Sequence, residues 1–262
     1  MRHHFVSSVL GLALCAAAAA PAVAQDGASA DQIMEKVLAR DAFGWDEAET
    51  RVRMILTEKS GKRRERAMEN LRKKKDGRSM SVVRFRAPQE VAGTAFLMLE
   101  RKEGETEQWI YLPKLQRVRR VVGREREGSF MGSDFSYADM ERRDTRQSKH
   151  RRLPDEKIGT VPVYVIESTP TEKSGSSYSK IQTWVRKDNY LPLRIRFYDA
   201  KGQPLKTFYS RRIRDVDGQA VIVESKMQNQ QTGHSTELVV DDIRSRNDIP
   251  DTIFTPTGIQ HL

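Results

Sequence analysis

From Thr50 almost to the C-terminus, apolar and polar residues alternate with a period of two, and this regularity limits the possible folds more than any other feature. A period of two puts successive side chains on opposite faces of a strand, whereas an amphipathic helix needs a period of 3.6. Val52, Met54 and Leu56 alternate with Arg51, Arg53 and Thr57, and Val83 and Phe85 alternate with Arg84 and Arg86. Further strand candidates are 94–101, 107–112, 116–122, 161–168, 178–187, 191–199, 204–212, 219–229 and 235–243. Asp76-Gly77, Gly104, Asp188-Asn189, Lys201-Gly202, Asp217-Gly218 and Thr232-Gly233 fall between segments as turn signals. After Ser60-Gly61 the chain is simply charged through Lys75.

Regular spacing of this kind predicts an antiparallel barrel or sandwich of about ten to twelve strands. Two segments separate these options. TAFLMLE (94–100) and VPVYVI (161–166) are apolar on both faces, so each needs a lining on one side and a cover on the other. Ser29 and Gln32 form a capping-box signal for a helix over 30–42, with Ile33, Met34, Val37 and Leu38 on one stripe. The expected fold is mainly β with a few helices (α+β): an incomplete antiparallel β-barrel, a curved sheet with helices covering its open side. No Gly/Ser/Pro linker divides 25–262, and Thr171–Ser179 reads as a hairpin loop, so one domain is expected.

Arg2, an apolar run from Phe5 to about Ala20 and Ala22-Val23-Ala24 read as a secretory signal peptide over 1–24, with the mature chain starting at Gln25. The run is short for a retained anchor, and Leu14 before Cys15 argues against lipoprotein processing. Cys15 is the sole cysteine, so a mature chain without it has no disulfide and no thiolate ligand. The formal charge of +10 falls to +9 without 1–24, because Arg2 is the only Lys or Arg there and no acid is present. For an exported chain such basicity points to anionic lipid or an acidic protein rather than nucleic acid. The clusters Lys62–Arg66, Arg72–Lys75, Arg117–Arg120 and Lys149–Arg152 are candidates for peripheral contact with an anionic membrane surface.

Catalytic readings find little support. His150, His234 and His261 are scattered and read as surface residues, with no zinc-binding spacing. MGSDF around Ser133 lacks the G-x-S-x-G elbow of a serine hydrolase, and Ser129 and Ser136 offer no better context. Asp134, Asp139, Glu141 and Asp144 lack the alternating calcium-loop pattern, and with Arg142 and Arg143 among them they read as ion-pair partners. Neither a metal nor a cofactor is expected. Within GREREGSFMGSDFSYADMERRD (123–144), Ser136 and Asp139 suit a short helix cap, and Gly128 and Gly132 suit chain reversals. Phe130, Met131, Phe135, Tyr137 and Met140 then form an apolar underside, reading as a plug in preference to a moving lid.

GTAFLMLE, EQWIYLPKLQRVRRV and GSFMGSDFSYADME, all within 93–144, together resemble the outer-membrane lipoprotein-sorting protein family, the LolA-like periplasmic carriers. WVRKDNYLPLRIRFYDAKGQPLKTF (184–208) and IPDTIF (249–254) are more loosely similar to later parts of such carriers. The resemblance implies a divergent branch: a non-enzymatic, monomeric half-barrel carrying lipid or lipoprotein acyl chains between inner and outer membrane. Its alternative is a non-carrying docking module of an inner-membrane RND-type transporter. The alternation nominates lining residues strand by strand: Met54 and Leu56; Val83 and Phe85; Leu97 and Leu99; Trp109 and Tyr111; Val163 and Val165; Leu193, Ile195 and Phe197; and Leu238. A single bulge would invert such a facing assignment.

Overall fold

Thirteen strands form one antiparallel sheet that curves without closing. The computed structural model describes residues 27–40, 45–101, 105–141 and 145–262, so the leader expected over 1–24 lies outside the described residues. The first six strands are β1 (Glu47–Thr57), β2 (Arg63–Lys75), β3 (Arg78–Ala87), β4 (Ala95–Glu100), β5 (Thr106–Leu112) and β6 (Arg117–Val121). The rest are β7 (Ser148–Ile158), β8 (Val161–Pro170), β9 (Lys180–Arg186), β10 (Pro192–Tyr198), β11 (Pro204–Val216), β12 (Gln219–Asn229) and β13 (Ser235–Ser245).

Their order is β6-β5-β4-β3-β2-β1-β13-β12-β11-β10-β9-β8-β7, so two meanders meet where β1 pairs with β13. The edges of the sheet are β6 and β7, which are consecutive in sequence. Residues 122–147 must therefore cross the open side from one edge to the other. Bulges at Arg51/Val52, Leu153/Glu156 and Pro192/Arg194 bend their strands locally and favour curvature over flatness.

The count exceeds the expected ten to twelve because two charged segments are strands. Met68 is the only buried residue of β2, and β7 has none. Neither has an alternation worth reading, and each is held by the ladder of its neighbours, β1 and β3 for β2 and β8 for β7. Asp76 and Gly77, both at positive φ (51° and 74°), make the tight β2–β3 turn that the Asp-Gly pair favours.

The helix α1 (Ala30–Ala39) begins as its capping box dictates: the Ser29 amide donates to Gln32 Oε1 (2.9 Å) and the Gln32 amide to Ser29 Oγ (3.2 Å). Residues 41 and 42 of the expected 30–42 span are outside the described set. Ile33 is fully buried against Tyr164, Ile166 and Val185, on the same face of β9 as Ile181. On the opposite face, Ile249, Phe254 and Ile259 of the C-terminal tail bury against Val82, Ala95, Leu97 and Leu99.

Candidate functional site: the covered inner face

Alternation gives the sheet an apolar inner face, and the β6–β7 connection fills it. Met54, Leu56, Met68, Val83, Phe85, Phe96, Ile110, Phe197 and Met227 pack in one cluster with Phe130, Phe135 and Tyr137 of the connection. Met131 and Met140 lie partly buried against it. The Phe130 ring sits 5.0 Å from Phe96, 6.0 Å from Phe85 and 5.5 Å edge-on from Tyr137, centroid to centroid, within the range of favourable aromatic pairs.

The connection makes its own shape. The Phe130 amide donates to the Phe135 carbonyl (2.7 Å) and the Tyr137 amide to the Gly128 carbonyl (3.2 Å), closing a small loop. Met131 (φ 51°) and Gly132 (φ 73°) turn it. Gly128 has an ordinary φ of −65° instead; what it supplies is room, because a Cβ there would come 3.0 Å from the Glu125 carbonyl oxygen. The serine hydroxyls serve the loop: Ser133 Oγ donates to the Phe130 carbonyl (2.7 Å), while Ser136 Oγ accepts from the Asp139 amide and the Ser136 amide donates to Asp139 Oδ2.

Polar side chains on the sheet then grip the backbone of this loop. Carbonyls at every third position, Met131, Asp134 and Tyr137, accept from Arg66 of β2, Lys206 Nζ of β11 (2.9 Å) and Gln108 Nε2 of β5 (2.8 Å). Lys206 also forms a buried ion pair with Asp139, whose Oδ1 accepts from Tyr178 Oη (3.0 Å). Burial, the largest single influence, pulls the Lys206 ammonium down, but the charges and hydrogen bonds of Asp139 and Tyr178 together outweigh it, and its pKa ends above the ordinary value. Burial first and the Asp139 charge second push the Tyr178 phenol up, while burial lowers the Arg66 guanidinium. Asp134 accepts from Thr236 Oγ1 and lies 2.7 Å from His234 Nδ1, so His234 is a fastening of the loop and not the plain surface residue its turn position suggested. Arg126 pairs with Glu141.

The fourteen nominated lining residues divide evenly between faces. Met54, Leu56, Val83, Phe85 and Phe197 are in the inner cluster, with Ile195 and Leu238 packed against it. Leu97, Leu99, Trp109 and Tyr111 belong instead to the outer cluster beneath the C-terminal tail, and Val163, Val165 and Leu193 to an outer cluster around Trp184. Two causes account for the split. In β4, β5 and β8 both faces hold apolar residues, so alternation cannot say which is inside; in β10 the Pro192/Arg194 bulge turns Leu193 outward. The sequence reading missed Phe96, Ile110, Val121, Ile181 and Met227, which share the inner parity, and Gln108 and Lys206, whose polarity hid their burial.

A cleft of about 370 Å³ opens between the free edges, at the small end of ligand sites. Arg126, Glu141, Lys173 and the hydroxyls of Ser174, Ser176 and Ser177 surround it. Val121, Tyr178 and Ile181 also line it and belong to the inner cluster, so its apolar side continues into the covered face. Three basic clusters are partly paired within the fold, Lys73 with Glu47 and Asp251, Lys75 with Asp251, Arg119 with Glu125, Arg120 with Glu107, Arg151 with Glu167 and Arg152 with Asp155, while in Lys62–Arg66 the ion pair is Arg64 with Glu58. Among the described residues no group of three His, Cys, Asp or Glu could hold a metal, and no helix is long and apolar enough to cross a membrane.

A family model described as "Uncharacterized protein" matches residues 77–261. No curated protein matches the chain. A solved domain from Vibrio parahaemolyticus, named for outer membrane lipoprotein sorting, is 33% identical with a TM-score of 0.81 and covers 88% of this chain and 98% of its own. A DUF1329 family protein from Desulfovibrio piger is 25% identical over the same shares, also with a TM-score of 0.81. A LolA superfamily protein from Nitrosomonas europaea, 23% identical with a TM-score of 0.68 over 87% of this chain and 98% of its own, shares the fold. The half-open sheet and the 33% identity over most of both chains together place the chain in the outer-membrane lipoprotein-sorting family, as a divergent branch with a LolA-like fold.

Proposed function

We propose that this protein is an exported, periplasmic carrier that binds acyl chains of an envelope lipid or lipoprotein against the inner face of its sheet and performs no bond chemistry. The observation that supports this most is the apolar inner face, covered by a segment of the chain itself and reached through a cleft between two free edges. In this state the segment around Phe130, Phe135 and Tyr137 occupies the place a cargo chain would take, so the carrier works by exchange: cargo in, cover out. The energies match. A sixteen-carbon chain gains about 12 kcal/mol on leaving water. Exposing three aromatic side chains costs roughly 5–9 kcal/mol, which that gain covers.

Native mass spectrometry of the protein isolated from its own envelope tests the reading. Co-purified lipid is expected in the wild type and is lost in Phe197→Arg; the partly buried Ile195→Gln serves if Phe197→Arg does not fold. The packed state of the inner cluster favours a second reading, a docking module for an RND-type inner-membrane transporter. That reading predicts no lipid and a transporter pull-down that survives both substitutions.

A further inference from the structure

The outer face of β9–β11 carries a feature that the carrier reading does not use. On β10, Arg194 and Arg196 point away from the inner cluster that holds Ile195 and Phe197. The Arg194 guanidinium lies over the rings of Trp184 (5.2 Å) and Tyr209 (5.8 Å), its cross-strand neighbours on β9 and β11, and that of Arg196 over Trp184 (5.5 Å). Trp184 is buried beneath both.

Several arginines on this chain pair with carboxylates, among them Arg151 with Glu167 and Arg152 with Asp155; Arg194 and Arg196 have no ion-pair partner among the described residues and lie on aromatic rings instead. The nearby acids are engaged: Glu156 accepts from Trp184 Nε1 (2.8 Å), Glu167 pairs with Arg151 and Lys180, and Glu237 pairs with Lys226. Arg194 Nε is buried without any hydrogen-bond partner. A cation–π contact restrains a guanidinium against its ring, and one without a carboxylate partner keeps terminal N–H groups free to meet a phosphate in charge-assisted hydrogen bonds. Residues two apart on a strand are about 6.6 Å apart on the same face, so the two arginines are neighbours on one surface.

We infer that the outer face of β9–β11, centred on Arg194, Arg196 and Trp184, docks the protein on an anionic phospholipid bilayer through lipid phosphates. Three observations favour lipid over an acidic protein. The cations are arginines, which suit phosphate recognition, Tyr209 beside Arg194 is only partly buried and of the residue type found at bilayer interfaces, and the chain's charge of +10 draws it to an anionic surface. Three of the four basic runs obvious in the sequence have charges paired within the fold, and the fourth, Lys62–Arg66, is tested by the control variant below.

Flotation of the mature chain with phosphatidylcholine vesicles, with and without phosphatidylglycerol, tests the assignment. The wild type is expected on the anionic vesicles only, with binding that weakens as salt rises. Arg194→Gln/Arg196→Gln should weaken it roughly tenfold to thirtyfold, at about 1 kcal/mol for each arginine. Lys59→Gln/Lys62→Gln removes the same charge elsewhere and should change it less than twofold. If the glutamine pair fails to fold, Arg194→Lys/Arg196→Lys keeps the charge while removing the fork, and should still weaken binding. Equal losses in the two double glutamine variants, or no preference for anionic vesicles, would overturn the inference; so would retention on polyglutamate without vesicle binding, which would reassign the face to an acidic protein. The readout is independent of cargo, so it stands or falls apart from the carrier reading.

Discussion

At the scale of single residues, the least replaceable contact is the Lys206–Asp139 pair. Both side chains are nearly inaccessible, at 7% and 3%. Removing one partner leaves the other charged and buried, so Lys206→Met or Asp139→Asn should destabilise the fold by about 3–5 kcal/mol in urea unfolding. The double Lys206→Met/Asp139→Leu should recover most of that loss, because two apolar groups leave no orphaned charge. The acidic half of this contact was visible in the sequence, since Asp139 stands in an apolar loop and needs a partner. The basic half was hidden: Lys206 reads as one more lysine of a basic chain until the fold brings β11 under the loop. His234 was misread for the same reason, as only the packed loop sets Asp134 beside it.

At the scale of elements, the C-terminal tail is the part most open to test. Lys73 and Lys75 hold the Asp251 carboxyl down from an ordinary 3.8 to about 2, and a Lys73 hydrogen bond followed by the Ile249 amide likewise holds Glu47 low. Groups depressed on folding stabilise above their unfolded pKa and lose that contribution as pH falls through the folded one. The tail should therefore loosen between about pH 4 and pH 2. Hydrogen exchange should show early loss of protection in 249–262 over that window and little change near neutrality; Asp251→Asn should flatten the response. Phe254→Ala, at a site 3% exposed, should cost about 3–5 kcal/mol. Most elements were legible: the α1 cap, the Asp-Gly turn and eleven strands follow from local pattern. Faces were less so. Trp109 and Tyr111 looked like lining because they are large and alternate, yet the tail waits on the other side of β5 to cover them, and a tail folding back from the far end of the chain has no local signature.

At the scale of the whole molecule, the decisive fact is a topological one. Because β6 and β7 are both sheet edges and neighbours in sequence, the segment between them is committed to the open side, and its Phe130, Phe135 and Tyr137 fill the inner face, where the proposed cargo would bind. The sequence showed a greasy loop amid charge; it did not show that the loop bridges the gap, since that depends on two charged strands, β2 and β7, with no alternation to announce them. The central claim is that this cover leaves when cargo enters. Asp134 and Thr236 are in direct contact across the cover and β13, and Cys15 is the chain's only cysteine, so with Cys15 replaced by Ala, Asp134→Cys/Thr236→Cys can staple the cover with nothing to compete. Native mass spectrometry with added phospholipid should find lipid on the reduced double variant and none on the oxidised one, with uptake restored by reductant. Equal lipid loading in the oxidised and reduced forms would contradict the account.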